Sequence, residues 1–83
     1  MSDEGEISQA VLTHVVRALV DDPDAVEIDI DESGSRKRYT VQVAAGDMGR
    51  VIGRRGRVAN AIRTVVGAAA AKDEIEVEVE FAD

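Results

Sequence analysis

Gly49-Arg50-Val51-Ile52-Gly53-Arg54-Arg55-Gly56-Arg57-Val58 holds three glycines and four arginines in ten residues. Ahead of it, Met48 to Ile52 reads as a short helix, with Asp47 placed to cap it. Gly53 to Gly56 breaks the helical pattern. A longer helix resumes at Arg57, with Val58, Ile62, Val65, Val66 and Ala69 on one face and Arg57, Asn60 and Arg63 toward solvent. A corner between helices tolerates any polar residue, so a purely structural turn does not account for so many arginines. A buried helix could not hold them.

The segments on either side supply the scaffold. From Glu6 to Val20 the apolar residues Ile7, Val11, Val15, Ala18 and Leu19 recur at helical spacing, broadened by Leu12, Val16 and Val20. Pro23 disfavours helix in the residue before it and stops that element at Asp21-Asp22-Pro23-Asp24. Val26-Glu27-Ile28-Asp29-Ile30-Asp31 alternates as a half-buried strand does. Glu32-Ser33-Gly34-Ser35 supplies turn residues, and Arg36 to Ala45 reads as a second strand with Tyr39, Val41 and Val43 inward. Gly67 weakens the long helix, but Ala68 to Ala71 carry it on by propensity. Ile75-Glu76-Val77-Glu78-Val79-Glu80-Phe81 is a third alternating strand, whose glutamates line the open face. The order is α-β-β-α-α-β. Strands with one polar face place their helices on the other, which gives a two-layer α+β fold.

Composition bounds the function. Eighty-three residues form one domain with a modest core. There is no cysteine, hence no disulfide framework and no thiolate metal site. No apolar run approaches the ~20 residues of a membrane span, and Met1-Ser2-Asp3-Glu4 does not read as a signal peptide, so a soluble cytoplasmic protein is expected. The formal net charge is −7, yet residues 36 to 63 hold Arg36, Lys37, Arg38, Arg50, Arg54, Arg55, Arg57 and Arg63 against Asp47 alone. Such a polarised chain repels a polyanion everywhere except along one strip.

The chemistry of the strip follows from its glycines. Gly53 can take a left-handed conformation that closes the short helix. Gly56 leaves no side chain in the way of a phosphate approaching the main chain. The helix from Arg57 offers unpaired N–H groups and the positive end of its dipole, and Arg54, Arg55 and Arg57 add charge. The arrangement favours a sugar–phosphate backbone without distinguishing one base from another. Val51, Ile52 and Val58 border the loop and could floor a groove walled by the second strand. Tyr39 and Phe81 are too few for an aromatic stacking platform. Base contact is therefore expected to be aliphatic, in a narrow groove for a few unstacked bases.

Catalysis is poorly supported. No lysine follows a glycine as a phosphate-binding P-loop requires, and glycines 49, 53 and 56 do not fit the dinucleotide fingerprint. His14 has no cysteine or second histidine to join it in a metal site and reads as a partly buried packing residue. Asp21, Asp22 and Asp24 could chelate Mg²⁺, but a helix-ending acidic turn is the plainer account. The rival to a nucleic-acid binder is a protein-interaction module, because the broad first helix and Gly67 to Ala71 leave apolar surface for a partner.

The run Val51-Ile52-Gly53-Arg54-Arg55-Gly56-Arg57 resembles the signature loop of the KH domain, which clamps about four nucleotides. The element order resembles the type II, or prokaryotic, variant, in which three helices back a mixed three-stranded sheet. Similarity runs from Ile7 to Phe81. It implies one KH domain over residues 1–83, with 1–5 disordered and 53–56 as the GxxG loop. With Asp47-Met48-Gly49-Arg50-Val51-Ile52-Gly53 ahead of the loop, the chain is similar to the small bacterial RNA-binding KhpA family. That resemblance implies a cytoplasmic, non-catalytic RNA chaperone and post-transcriptional regulator, without cofactor or metal. It also implies contacts to single-stranded RNA from Ile52, Gly53, Arg54, Arg55, Gly56, Arg57 and Val58. The family further implies a homodimer, or a heterodimer with a second KH protein resembling KhpB, and a link to cell-wall homeostasis and cell length. The strand glutamates and Arg36-Lys37-Arg38 lie outside the motif and take no role from it.

Overall fold

A computed structural model describes residues 6–32 and 36–82. Expectations for residues 1–5 and for the turn at 33–35 lie outside the described residues. Helix α1 spans Glu6–Leu19, β1 Glu27–Asp31, β2 Lys37–Gln42, α2 Met48–Ile52, α3 Arg57–Lys72 and β3 Val77–Phe81. The expected order holds, but the strands are shorter than their alternation suggests, because other bonds claim their ends. The Val26 N–H donates to the Pro23 carbonyl in a 3₁₀ turn, and the Ile75 N–H donates to Ala70 at the end of α3.

Strand β2 is central. It runs antiparallel to β1, with Ile30 opposite Tyr39, and parallel to β3, with Tyr39 opposite Val79 and Val41 opposite Phe81. One face of this mixed sheet carries Tyr39, Val41 and Val79, which pack with Leu12, Val16, Val20, Val51, Ile62 and Val66. On the other face stand Arg38, Gln42 and Glu80, all exposed. Helices on one side and a polar face on the other make the two-layer α+β architecture of a type II KH fold.

The helical faces differ from their expected placement. In α1 the buried centre is Leu12 and Val16, with Val20 just beyond the helix end, while Ile7 is 45% exposed and Ala18 is also exposed. In α3 the inward residues are Ala59, Ile62, Val66, Ala69 and Ala70, whereas Val65 is 49% exposed. Val65 sits one step, about 100°, round the helix from Val66 and falls off the apolar stripe. His14 is exposed rather than packed.

Two polar ties join distant elements. The fully buried Ser8 Oγ lies 2.9 Å from the Tyr39 hydroxyl, and the Ser8 N–H donates to Asp73 Oδ2 at 3.1 Å. Asp73, just beyond α3, thus satisfies one of the orphan amides at the start of α1. Asp47 makes the second tie. It does not cap α2 with its side chain. Its buried carboxylate instead accepts the N–H groups of Asp21 at 3.2 Å and Asp22 at 3.1 Å. The backbone turn after α1 offers two donors where α2 would have offered one cap, and the carboxylate goes to the pair.

Candidate nucleic-acid interface

Local backbone chemistry makes the bend between α2 and α3. The Gly53 N–H donates to the Gly49 carbonyl at 2.9 Å and closes α2. Gly53 then takes φ 73° and ψ 178°, a region essentially closed to residues with a Cβ. This is a positive-φ conformation, but it is not the left-handed helical one expected for it. That conformation falls to Arg55 at φ 55°, ψ 27° and to Gly56 at φ 73°, ψ 15°. A Cβ on Gly53 would drive into Val58, whereas one on Gly56 would meet nothing within 4 Å. Gly53 is thus required by the protein's own packing. Gly56 faces open space.

The bend exposes main-chain donors. The Gly56 N–H is taken by the Gly53 carbonyl and the Arg57 N–H by the Arg54 carbonyl. The amides of Arg54 and Arg55 find no acceptor among the described residues, and α3 begins without a side-chain cap. Helix α3 still contributes the positive end of its dipole here, but its first amide is not free as expected.

Ion pairing separates the basic residues. Arg36 pairs with Glu76 and Glu78, Arg38 with Glu78, and Lys37 with Glu32. Arg50 bonds Asp21 at 2.9 Å and lies 3.5 Å from Asp47. Arg63 bonds the Val79 carbonyl and the Asn60 side chain. Arg54, Arg55 and Arg57 make no ion pair or hydrogen bond from their side chains to any described residue, and all three are exposed. The basic strip is therefore narrower than the sequence count suggests. Its charge without an ion pair to a described residue sits on the bend and on Arg63.

Of the flanking apolar residues, Val51 is fully buried in the core, so it cannot floor a groove. Ile52 and Val58 stay half-exposed beside the loop. The expected second wall also changes: β2 is the central strand, so the free strand edge beside α3 belongs to β3. The Arg36 and Arg38 cluster lies on the open sheet face, tied to Glu78 of β3. Among the described residues no His, Cys, Asp or Glu cluster could hold a metal, and no helix is long and apolar enough to cross a membrane.

Comparison with known proteins agrees with this geometry. Residues 9–81 match the KhpA/KhpB KH-domain family. The RNA-binding protein KhpA of Caldanaerobacter subterraneus is 48% identical over 67 residues, covering 81% of this chain and 89% of that protein. Its namesake in Borreliella burgdorferi is 40% identical over 73 residues, covering 88% and 89%, and that of Leifsonia xyli is 46% identical over 68, covering 82% and 90%. The chain belongs to the KhpA/KhpB family of KH domains.

Proposed function

We propose that this chain is a non-catalytic RNA-binding protein, a single KH domain over residues 1–83. It grips single-stranded RNA by the sugar–phosphate backbone through Ile52, Gly53, Arg54, Arg55, Gly56, Arg57 and Val58. One observation carries the reading: Arg54, Arg55 and Arg57 stay outside the ion pairs that engage Arg36, Lys37, Arg38 and Arg50. Charge left uncompensated beside two acceptor-free amides is arranged for an anion from outside the chain. The relatives named RNA-binding protein KhpA support the same conclusion. A module that only paired with protein would leave the bare arginines without an account.

One loop holding about four nucleotides gives modest affinity. Pairing with a second copy, or with a KH protein resembling KhpB, raises it through effective concentration. Family resemblance supports a finer reading in which the protein acts in the cytoplasm as an RNA chaperone and post-transcriptional regulator tied to cell-wall homeostasis.

Replacing Arg54 and Arg55 by aspartate should abolish binding to a single-stranded RNA octamer while leaving the melting temperature nearly unchanged. For the unaltered chain, neutralising about two to four phosphates gives a log–log salt slope of about −1.5 to −3. A flat salt response, or a double variant that still binds, overturns the assignment.

A further inference from the structure

We infer that Asp47 is a positioning residue for RNA binding, fixing α2, and with α2 the arginine-bearing bend, against the turn that follows α1; this rests on the function proposed above. Asp47 is 4% exposed, and its carboxylate accepts the N–H groups of Asp21 at 3.2 Å and Asp22 at 3.1 Å. A helix of five residues has little stability of its own, so α2 lies where its tertiary contacts put it. Those contacts are unevenly spread. Val51, fully buried, and Gly53, packed against Val58, fix the C-terminal end. At the other end Gly49 and Arg50 are exposed and Met48 is half-buried, which leaves Asp47 as the anchor.

The bend has no slack with which to absorb a shift of α2. The Gly53 N–H is bonded to the Gly49 carbonyl and the Gly56 N–H to the Gly53 carbonyl. Gly53 has no room to slide against Val58. A tilt of α2 about that contact therefore turns the Gly53 carbonyl and carries Arg54 and Arg55 with it. Asp47 stands six residues before Gly53, about 9 Å along the axis at 1.5 Å per residue. It holds the far end of a short lever. None of its hydrogen bonds or ion pairs reaches the bend, so any effect on RNA passes through α2.

The competing account is that Asp47 only stabilises the fold. Ser8→Ala supplies the comparison, since it removes a buried hydrogen bond at the opposite end of α1. The full chain and the variants would be titrated with octa-uridylate at a temperature where each is folded by circular dichroism. Apparent affinity falls with the fraction of molecules in the binding arrangement. A bend correctly placed about a tenth to a fifth of the time gives a five- to tenfold weakening for Asp47→Ala, with the salt slope unchanged. Asp47→Asn, which keeps one acceptor oxygen, should weaken binding about two- to threefold, and Ser8→Ala by less than 1.5-fold. Hydrogen exchange followed by NMR needs no RNA. The Gly53 and Gly56 amides should exchange at least about fivefold faster in both Asp47 variants and keep their rates in Ser8→Ala.

A folded Asp47→Ala that binds within twofold of the unaltered chain overturns the positioning role, as does equal weakening by Ser8→Ala. Tighter binding with a steeper salt slope also overturns it, because Asp47 would then act by occupying Arg50. If Asp47→Ala unfolds, Asp47→Asn decides, and unchanged exchange at Gly53 and Gly56 in it sinks the inference. If the unaltered chain fails to bind, or binds equally after Arg54→Asp with Arg55→Asp, the functional assignment falls and takes the role in RNA binding with it. The exchange rates then still tell whether Asp47 holds the bend.

Discussion

Gly53 approaches Val58 so closely that a Cβ on Gly53 would stand 2.8 Å from the Val58 Cβ and 2.9 Å from its amide nitrogen. The two glycines of the bend therefore respond differently to the same change. Gly53→Ala meets both a forbidden backbone region and a collision, and should cost about 2–4 kcal/mol. Gly56→Ala meets only the left-handed penalty, about 1–2 kcal/mol. A chain of this size has about 4–12 kcal/mol of stability in all, so the first loss is a large fraction. Urea unfolding of both variants checks this; equal costs would show that the Val58 contact does not constrain the loop.

The Asp47 carboxylate holds the turn after α1 by two amide donors. Asp47→Ala leaves both N–H groups without an acceptor and should cost about 1.5–3 kcal/mol. Arg50, which bonds the Asp21 side chain and lies 3.5 Å from Asp47, does so from an exposed position and contributes little. Arg50→Ala should cost under about 1 kcal/mol, as exposed pairs do. The ratio of the two losses in denaturant titration is the test. If Arg50→Ala costs as much as Asp47→Ala, the ion pair and not the amide bonds fixes this turn.

Helix α3 ends with Glu74 at φ 60°, its N–H donating to Ala71 while Ile75 donates to Ala70. This pair of bonds is the Schellman arrangement, which favours glycine at the left-handed position. Glu74→Gly should therefore raise stability by about 0.5–1 kcal/mol, read as a higher urea midpoint at constant slope. A lower midpoint would mean that the glutamate side chain, not the backbone, decides this end.

The three helices and three strands were legible in the sequence because each signal is local: Pro23 stops α1, alternation marks β1 and β3, and Gly53 divides α2 from α3. The bend and its arginines were equally plain. What sequence could not supply is partnership across the fold. Arg38 meets Glu78 only through the register of two parallel strands, which no local pattern fixes. Asp47 looked like a helix cap because its actual donors lie 26 and 25 residues away. Arg63 resembled any helix-surface charge until β3 came beside it. Val65 and His14 were misplaced for a milder reason: helical spacing gives an apolar arc, and only packing decides where that arc stops.

Sixty-five residues separate the Ser8 amide from the Asp73 carboxylate that receives it. On a chain made from its amino end, α1 precedes Asp73, and its opening turn is satisfied only once that residue has been added. Tyr39 likewise gains its neighbour Val79 only when β3 arrives. Folding of this domain is thus deferred until β3 has been made. Until then the nascent chain carries an unfinished sheet and a first helix whose Ser8 amide lacks its acceptor.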